Sequence, residues 1–521
     1  MANTDALGLW AIAEADGDFP AVVDPEHNQL TYAELAALTN RISRGLRAAG
    51  LGQGDQVTTL LPNCFEQLAV CLAAYQSGLY VTTINWHFVG SEINYVVNDA
   101  ETRAFIVHER FGDEAVKTLE GCVPEANRFC VGGPVEGFRP FDELVAGQSS
   151  DRPEPEHLAT GSFMFYTSGT TGRPKGVRRA LDPRHPDEAS ATAGRLLMLF
   201  GSQPHDGNVQ ITQAPLYHTA VNNWTTMSLH LGHTAVLMDR WTPEGALERI
   251  ERYRVTSSHM VPTMFNRLLQ LPVEVRERYD VSSLRTMVHA AAPCPVETKR
   301  RMIQWWGDSI WEYYAATEGG GTVVSAAEWM ERPGTVGKAW PGCEVIVVDP
   351  DGNDLPAGES GTVYMKMPGA AFEYKGDKAK TEASRLRGFF TVGDVGYLDT
   401  DGYLFLNDRA NDMIIVGGVN VYPAEIEGEL VQHPAVGDAA VFGVPNPDTG
   451  EEIKAVVEPR GGWEPGEGTT EAILSWLRDR IGRQKLPRSI DYTAEMPRDP
   501  NGKLYKRKLR DPYWADHDRA I

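Results

Sequence analysis

The sequence contains few cysteines, and none of them form a closely spaced pair. Six occur among 521 residues, and no two have the spacing of a CxxC motif: Cys64, Cys71, Cys122, Cys130, Cys294 and Cys343. Structural zinc sites use closely spaced ligands, and disulfide-stabilised folds use cysteines at a higher density. We therefore expect reduced thiols in a chain that is long enough to stabilise its fold by hydrophobic burial.

Long apolar segments and an excess of positive charge are also absent. No stretch approaches the roughly 18 apolar residues of a membrane-spanning helix, and the N-terminal segment carries acidic residues where a signal peptide is basic. The formal net charge of −22 repels nucleic-acid backbones and anionic membranes. The sequence therefore predicts a cytoplasmic protein without a membrane span or a nucleic-acid partner. Its oligomeric state stays open, with a homodimer as one option.

Hydrophobic patterns of two different periods alternate along the N-terminal part. Leu35, Leu38, Ile42 and Leu46 recur at spacings of three and four, as on one face of a helix. The stretch DQVTTLLP is typical of a strand, and CFEQLAVCLAAYQSG is typical of a helix that ends at Gly78. The pattern continues through YVTTIN, SEINYVVNDA and RAFIV. Such alternation predicts βαβ units, that is, a mostly parallel sheet covered by helices.

The sequence pattern changes after a polar connector, GQSSDRPEPE, and again near Glu344. Short strands with turns follow Glu344, and the last part of the chain has strand, helix, strand, strand and helix patterns. We predict an α/β fold with a large N-terminal domain (residues 1–410). This domain would consist of βαβ-type subdomains plus a small β-barrel-like part. A small α+β C-terminal domain (residues 411–521) would follow.

One motif indicates an anionic ligand. YTSGTTGRPKGV (residues 166–177) combines glycines, hydroxyl residues, an arginine and a lysine. Backbone N–H groups, hydroxyl donors and the charge of Lys175 can hold the oxygens of a polyphosphate. The motif is not the common P-loop, because Gly176 follows the lysine where Ser or Thr is expected. Taken alone, a plain glycine-rich turn after a strand explains it equally well.

Four further motifs follow in order and decide between these two interpretations. They are YYAATEG (313–319), TVGDVGYLDTDGYLFLNDR (391–409), GGVNVYPAEIE (417–427) and PRDPNGKLYKRKL (497–509). With the glycine-rich motif, they resemble the signatures of the adenylate-forming superfamily of acyl-CoA synthetases, adenylation domains and luciferases. The resemblance extends from about Leu30 to Arg510 and is closest to fatty-acyl and aryl acyl-CoA ligases.

The resemblance implies an AMP-forming ligase that works in two steps. A carboxylate would attack the α-phosphate of ATP in the presence of Mg2+, giving an acyl adenylate and pyrophosphate. A mobile C-terminal domain would then rotate, and the thiol of coenzyme A would attack the adenylate. The partners would be a small-molecule carboxylic acid, or its adenylate, and CoA. Attack of one anion on another needs charge neutralisation and positioning.

The resemblance also assigns residues to the nucleotide. The β- and γ-phosphates would contact Thr167, Ser168, Gly169, Thr170, Thr171, Gly172 and Lys175. The rest of the nucleotide would contact Ala290, Ala291, Ala292, Tyr313, Tyr314, Ala315, Thr317, Asp394 and Arg409. Tyr314 would stack on adenine, unless it is a core aromatic, and Asp394 would accept both ribose hydroxyls. Thr167 and Glu318 would hold the magnesium ion, with Glu318 counted among the catalytic residues.

Two catalytic residues are implied outside the nucleotide site. Lys503 would lie between the substrate carboxylate and the α-phosphate; without the resemblance, its basic surroundings would suggest a solvated face. The preceding Asn501–Gly502 pair selects this lysine. His218 in PLYHT would lie between the acyl pocket and the pantetheine tunnel, although a lone histidine is often a packing residue.

The mobile-domain motifs imply two further features. Gly417 and Gly418 would let pantetheine pass close to the backbone, because they carry no side chain. Asn411 would be the hinge, where the family often has aspartate or lysine. Val416 stands where serine is common.

Two alanines also depart from the family pattern. Ala290 and Ala315 stand where the family usually has glycine, and alanine resists a positive φ. An extra methyl group in a filled site commonly costs about 1–3 kcal/mol, which would slow adenylation about ten- to a hundredfold. The alternative is a locally relaxed pocket for a particular acid.

The sequence therefore predicts an acyl-CoA ligase for a sizeable acid and leaves alternatives open. The stretches YHTAVNNWTT and VHAAAPC would line the acid pocket, which favours an apolar or aromatic acid with a polar group. The enzyme could instead use only a preformed adenylate, or transfer the acyl group to a carrier-protein thiol supplied in trans. A non-catalytic nucleotide-binding relative and a light-emitting oxygenase are rival classes.

Overall fold

The first half of the chain alternates helices and strands. A computed structural model describes residues 5–118, 123–167, 175–316, 319–367, 372–374, 378–409, 412–416, 419–498 and 502–515. Up to His289 the strands are β1 (Pro20–Val23), β2 (Gln29–Thr31), β3 (Gln56–Leu60), β4 (Tyr80–Thr83), β5 (Thr102–His108), β6 (Arg128–Val131), β7 (Arg139–Pro140), β8 (Ser162–Phe163), β9 (Phe165–Thr167), β10 (Lys175–Arg179), β11 (Val209–Thr212), β12 (Thr234–Leu237), β13 (Ser257–Met260) and β14 (Thr286–His289). The helices of this part are α1 (Leu9–Ala15), α2 (Tyr32–Ala48), α3 (Phe65–Gln76), α4 (Gly90–Asp99), α5 (Gly112–Val116), α6 (Phe141–Val145), α7 (Pro186–Gly194), α8 (Thr219–His230), α9 (Pro243–Tyr253), α10 (Pro262–Gln270) and α11 (Val273–Arg276).

The second half contains more strands than helices. Its strands are β15 (Ile310–Ala315), β16 (Gly321–Ser325), β17 (Thr335–Ala339), β18 (Glu344–Val348), β19 (Gly361–Lys366), β20 (Phe372–Tyr374), β21 (Arg385–Leu386), β22 (Phe389–Phe390), β23 (Asp394–Leu398), β24 (Leu404–Arg409), β25 (Ile414–Val416), β26 (Val419–Val421), β27 (Val436–Asn446), β28 (Gly450–Pro459) and β29 (Ser489–Tyr492). Its helices are α12 (Val296–Trp306), α13 (Ala326–Glu331), α14 (Lys378–Ala383), α15 (Pro423–Leu430), α16 (Glu467–Arg478) and α17 (Lys506–Arg510).

Helix α2 illustrates how the local sequence sets an element. Thr31 accepts a hydrogen bond from the backbone of Glu34, and the Glu34 side chain accepts one from the backbone of Thr31, so the first turn is capped. The predicted apolar face is buried, with Leu35, Ile42 and Leu46 fully enclosed. The helix predicted from this spacing is therefore confirmed.

The structure divides into two compact units. The first comprises Met1–His259, Pro272–Val288 and Gly369–Ala383, and the second comprises Met260–Leu271, His289–Pro368 and Ser384–Ile521. Within the first unit, a six-stranded parallel sheet has the order β7-β6-β5-β3-β4-β8, as the alternating pattern predicted. A second sheet begins β2-β1-β12-β11-β13-β14, and a small antiparallel sheet pairs β9 with β10 and β10 with β20.

Antiparallel strands dominate the second unit. Their order is β15-β16-β17-β24-β23-β19-β22-β21, with β18 paired to β19. These include the short strands predicted after Glu344. Side chains of Val347, Val363 and Leu404 form their buried core.

The last part of the chain forms a separate sheet within the second unit. Its order is β26-β25-β28-β27, and β29 runs parallel to β28. Helices α15 and α16 bury apolar side chains, among them Ile426 and Ile473, in the same core as strand residues such as Val441. This is the predicted α+β pattern. The predicted boundary at residue 411 stays a prediction, because residues 410 and 411 lie outside the described residues.

Membrane-spanning helices were predicted to be absent. In the described parts of the chain, no helix has both the length and the apolar character that crossing a membrane requires.

Candidate active site

The glycine-rich motif begins and ends on two paired strands of the first unit. Thr167, the last residue of β9, lies opposite Lys175, the first residue of β10. The residues between them, 168–174, lie outside the described residues, and the side chains of Thr167 and Lys175 are not described. The predicted strand before the motif is confirmed, and the structure adds that a second strand leaves it. The two ends of the glycine-rich motif are thus held side by side.

A tyrosine anchors this strand pair. The hydroxyl group of Tyr166 on β9 donates a 2.6 Å hydrogen bond to Oδ2 of Asp99 at the end of α4. Burial and the neighbouring Asp99 carboxylate raise the pKa of Tyr166, so the hydroxyl stays a donor. A Cβ atom added to Gly176 would lie 3.2 Å from the Tyr166 ring. The strand that leaves the motif therefore packs closely over the one that enters it.

The three predicted alanines follow β14 in the second unit. Ala290 is buried, and its amide donates a 3.3 Å hydrogen bond to the carbonyl oxygen of Met260. Neither Ala290 nor Ala315 has a positive φ; the alanine that does is Ala291, with φ 72°. The prediction of left-handed backbone strain at Ala290 and Ala315 is therefore wrong. Any such strain falls on Ala291, which is exposed.

The methyl group of Ala315 has a specific partner on the next strand. Ala315 lies opposite Gly321 in the pairing of β15 with β16. A Cβ atom added to Gly321 would lie 2.8 Å from Cβ of Ala315 and 2.9 Å from the Trp340 ring. Glycine on β16 thus leaves the space that the methyl group occupies. The carbonyl oxygen of Tyr314, at 2.4 Å from the same Cβ position, also requires glycine there, so Gly321 is compatible with the extra methyl group of Ala315.

Successive residues of β15 point to opposite faces of the sheet. On one face, Tyr313 lies near Trp340, with ring centroids 6.5 Å apart. On the other face, Tyr314 packs against the core of Val347, Val363 and Leu404. Burial raises the pKa of Tyr313. The core-packing alternative for Tyr314 is therefore correct for part of its ring surface, and adenine stacking stays a prediction.

The residues predicted to contact adenine and ribose come from separate motifs, and they are hydrogen-bonded to each other in the second unit. The hydroxyl group of Tyr314 donates a 2.6 Å hydrogen bond to Oδ2 of Asp394. Asp394 is 8% exposed and pairs across the strands with Arg409, whose side chain is not described. A carboxylate oriented in this way can accept hydrogen bonds from two neighbouring hydroxyl groups of a sugar.

A buried charged cluster includes Glu312, which lies on the same strand as Tyr314. Nζ of Lys299 on α12 is 2.5 Å from Oε2 of Glu312 on β15, and both side chains are less than a tenth exposed. Nε2 of His289, at the end of β14, is 3.6 Å from the same oxygen. Burial raises the pKa of Glu312, and the contact with Lys299 opposes that shift. His289 precedes Ala290 and Glu312 precedes Tyr313, so the cluster joins the two chain segments that carry predicted nucleotide contacts.

His218 precedes helix α8 in the first unit. It is half-buried, whereas Tyr217, Asn222 and Trp224 are buried. Burial, and then a positive charge on His218, lower the pKa of His259 to about 3. The gating role predicted for His218 stays a prediction.

Lys503 lies on a loop that approaches α10 within the second unit. Gly502 before it has φ 76°, and a Cβ atom there would lie 2.5 Å from Oγ1 of Thr263 and 3.0 Å from Val261. Val261 follows Met260, whose carbonyl accepts the Ala290 amide. Gly502, which precedes the predicted catalytic lysine, thus lies against Val261, and the neighbouring Met260 holds the backbone of Ala290.

Several predicted residues lie outside the described residues. They are Ser168, Gly169, Thr170, Thr171, Gly172, Thr317, Glu318, Asn411, Gly417 and Gly418. Their predicted roles, including magnesium binding by Thr167 and Glu318, stay predictions. Among the described residues, no group of three or more His, Cys, Asp or Glu side chains could hold a metal ion.

Sequence reasoning missed the contacts that support the site. Arg498 is one of the basic neighbours of Lys503 that suggested a solvated face, but it forms an ion pair with Asp438 and is 18% exposed. The pairing of Lys299 with Glu312 depends on how α12 packs against β15, which the sequence does not specify. A charged residue inside an otherwise apolar helix face is the one hint that the sequence offers.

Comparisons with known proteins agree with this geometry. The family described as AMP-binding enzyme matches residues 9–375, and the AMP-binding enzyme C-terminal domain matches residues 425–503. A feruloyl-CoA synthase of Amycolatopsis sp is 32% identical over 98% of this chain and 99% of its own. The fatty acid–[acyl-carrier-protein] ligase ScoC of Streptomyces coeruleorubidus is 30% identical over 98% and 96%, respectively.

A solved structure supports the same assignment. The anthranilate CoA ligase AuaEII in complex with anthranoyl-AMP superposes with a TM-score of 0.85 at 25% identity, covering 97% of this chain and 96% of that one. The large N-terminal and small C-terminal domains predicted from the sequence are those of adenylate-forming enzymes. The chain therefore belongs to the AMP-binding enzyme family and is an ATP-using, adenylate-forming acyl ligase.

Proposed function

We propose that the protein activates a carboxylic acid with ATP and transfers the acyl group to coenzyme A. The observation that carries this proposal is the hydrogen bond between Tyr314 and Asp394, which joins the predicted adenine and ribose contacts. The position of the Lys503 loop beside Val261, one residue from the backbone partner of Ala290, adds the predicted catalytic group.

In the first step, a carboxylate oxygen of the acid forms a bond to the α-phosphorus of ATP. The bond from this phosphorus to the bridging oxygen breaks, and pyrophosphate leaves. Lys503 would donate hydrogen bonds to the carboxylate and an α-phosphate oxygen, which reduces their mutual repulsion. The attraction between a unit positive charge and an oxyanion about 4 Å away is roughly 4 kcal/mol at intermediate dielectric before desolvation. Asp394 would hold the ribose. Magnesium, held by Thr167 and Glu318, would neutralise phosphate charge.

In the second step, the thiol sulfur of CoA attacks the acyl carbonyl carbon. The bond to the adenylate oxygen breaks, AMP leaves, and the thiol proton is released. Gly417 and Gly418 would border the path of pantetheine, and His218 would separate this path from the acyl pocket. The C-terminal domain would change orientation between the steps, with Asn411 as the hinge.

The acid that we propose is aromatic or otherwise sizeable. In the first unit, the Trp86 ring meets Tyr217 edge-on at 4.9 Å, and Trp224 meets Phe200 edge-on at 4.9 Å. Tyr217 and Trp224 flank the half-buried His218 and belong to the segment that we predict to line the acyl pocket. Relatives named for ferulate and anthranilate favour an aryl acid, and a relative named for fatty acids keeps an alkyl acid in the test.

The relative that uses an acyl carrier protein supports one alternative acceptor. A holo acyl carrier protein presents the same pantetheine thiol as CoA, so the first step would not change. We do not propose a loss of adenylation, because Ala315 faces Gly321 and neither Ala290 nor Ala315 has a positive φ.

One experiment with three arms tests the proposal. Aryl and fatty acids are offered with ATP, magnesium and CoA, then with a holo acyl carrier protein in place of CoA, and finally as preformed acyl adenylates with CoA. We expect acyl-CoA and AMP in the first and third arms. Product in the second arm alone would make the protein a carrier-protein ligase, and product in the third arm alone would limit it to thioesterification. No adenylate, thioester or AMP in any arm would refute the proposed function.

A further inference from the structure

An arginine side chain links the loop that carries Lys503 to the C-terminal sheet. Arg498 donates two hydrogen bonds to the Asp438 carboxylate, from Nε at 2.6 Å and from Nη2 at 2.8 Å. A third donor, Nη1, bonds to the carbonyl oxygen of Gly502 at 2.7 Å. One planar guanidinium group therefore connects strand β27 to the peptide group that precedes Lys503.

The strand end of this connection is rigid. Asp438 lies near the start of β27, which pairs with β28 along almost its whole length. Oδ1 of Asp438 also accepts the backbone N–H of Ala439 at 2.8 Å, which fixes the carboxylate orientation. The Arg498 and Asp438 side chains are 18% and 15% exposed, so solvent competes little for these hydrogen bonds.

The other side of the loop is fixed by the backbone and by apolar packing. Arg498 and Leu504 pair across the loop, and the Tyr505 amide donates to the carbonyl oxygen of Pro497 at 2.8 Å. Leu504 packs against the cluster that contains Phe442 and Val444. Lys503 thus lies between two fixed points, and Arg498 provides the one on its N-terminal side.

We infer that Arg498 is a positioning residue for Lys503 in the adenylation step. This inference rests on the proposed function, because it assumes that Lys503 acts on the acid and the α-phosphate. Arginine suits the role because its planar fork can satisfy a carboxylate with two donors while a third donor reaches a carbonyl. A lysine at this position would lack that fixed geometry.

A positioning role and a purely structural role of Arg498 affect the two half-reactions differently. Lys503 would be needed for adenylation and not for thioesterification, so misplacing it should slow the first half-reaction alone. A displacement of about 1 Å in a positioned group can cost about a hundredfold in rate. General destabilisation of the C-terminal domain would slow both half-reactions together.

The test compares Arg498→Met and Arg498→Lys with wild type in each half-reaction. We expect adenylate formation, followed as pyrophosphate release, to fall about ten- to a hundredfold in both variants. Thioesterification of a preformed acyl adenylate should stay within about twofold. Arg478→Met is the matched control, since Arg478 forms an exposed ion pair with Glu471 in the same domain.

A double variant links the effect to the lysine. In a Lys503→Ala background, Arg498→Met should slow adenylation no further, because the group that it positions is gone. An additional loss as large as that of the single variant, or an equal loss in both half-reactions, would overturn the inference.

A measurement without turnover separates this inference from the proposed function. Hydrogen exchange of the backbone amides of residues 502–505 should accelerate about tenfold in Arg498→Met and in Asp438→Asn, and not in Arg478→Met. Unchanged exchange would overturn the inference even if wild type is active. If exchange is faster in these two variants but the wild-type protein makes no adenylate, the failure lies in the proposed function.

Discussion

Tyr314 and Asp394 lie on antiparallel strands of one sheet, whereas Lys503 lies on a loop that Arg498 attaches to another sheet. The first pair is fixed by a direct hydrogen bond, and its Tyr314 shares strand β15 with Glu312, which forms a buried ion pair with Lys299. The contrast follows the proposed reaction. The nucleotide must be held in both half-reactions, but the lysine is needed in only one. Permanent side-chain contacts serve the first need, and a loop with fixed ends serves the second.

Lys299→Met should have the largest effect of the changes considered, and it removes the buried ion pair on the strand that carries Tyr314. This change leaves Glu312 buried without its 2.5 Å partner, and breaking a buried ion pair commonly costs about 3–5 kcal/mol. We expect a loss of that size in the free energy of unfolding, measured by urea denaturation.

A surface pair provides the control for this prediction. Lys366 lies 2.9 Å from Glu344, but their side chains are 39% and 58% exposed. Lys366→Met should cost less than about 1 kcal/mol, because exposed ion pairs contribute little. Equal losses of unfolding free energy in the two variants would mean that the buried ion pair stabilises the protein no more than an exposed one.

Removing the charge of Lys503 tests directly whether this residue acts in adenylation. Lys503→Ala should slow adenylate formation about 10²–10³-fold, the usual effect of deleting one group that stabilises a developing charge. Thioesterification of a preformed adenylate and AMP binding should persist. Pyrophosphate release and isothermal titration with AMP provide the measurements.

A nearby lysine is the matched control for that variant. Lys508 on α17 is exposed, and its Nζ lies 5.3 Å from the centre of the Tyr505 ring. Lys508→Ala should leave adenylation within about twofold. Normal adenylation by Lys503→Ala would refute the catalytic assignment and favour a non-catalytic nucleotide-binding relative.

The same contrast explains what the sequence could predict. Periodicity located α2, β3 and α3, and the motif resemblance selected Tyr314 and Asp394, which the structure then joined. The assumed positive φ at Ala290 and Ala315 was wrong, because φ depends on the local chain path and on the partner strand, here Gly321 opposite Ala315.

Supporting contacts were harder to predict than site residues. Arg498 and Asp438 are 60 positions apart, and Lys299 and Glu312 belong to different elements. Such pairs depend on strand register and helix packing, which periodicity does not specify. A single sequence therefore identifies groups within one motif more readily than the partners that hold them.

Gly502→Ala changes the conformation of the loop that carries Lys503 without changing its charges. The new Cβ atom would lie 2.5 Å from Oγ1 of Thr263, and φ 76° is unfavourable for alanine. We expect adenylation to slow about tenfold while thioesterification changes little, because the contact with Thr263 belongs to the conformation in which the loop approaches α10. Both half-reactions are measured separately.

Gly462→Ala isolates the backbone contribution. Gly462 has φ 90° in the same part of the chain, and nothing lies within 4 Å of an added Cβ atom. It should lower stability slightly and leave both half-reactions near wild type. If Gly502→Ala behaves like Gly462→Ala, the approach of the loop to Thr263 has no role in adenylation.

The smallest expected effect comes from Tyr314→Phe, which removes one hydroxyl group and keeps the ring that packs on the Val347 core. Asp394 would lose its 2.6 Å hydrogen bond and could rotate away from the ribose. Because a hydrogen bond to a charged group contributes about 1.5–3 kcal/mol, and part of it is replaced by water, we expect KM for ATP to rise about five- to tenfold with little change in kcat. Tyr397→Phe on the same strand as Asp394 is the control, since its ring stacks on Phe405 at 4.9 Å and should tolerate the change. If ATP binds equally well to both variants, the hydrogen bond does not orient Asp394, and other contacts, such as the strand pairing with Arg409, must fix the ribose site.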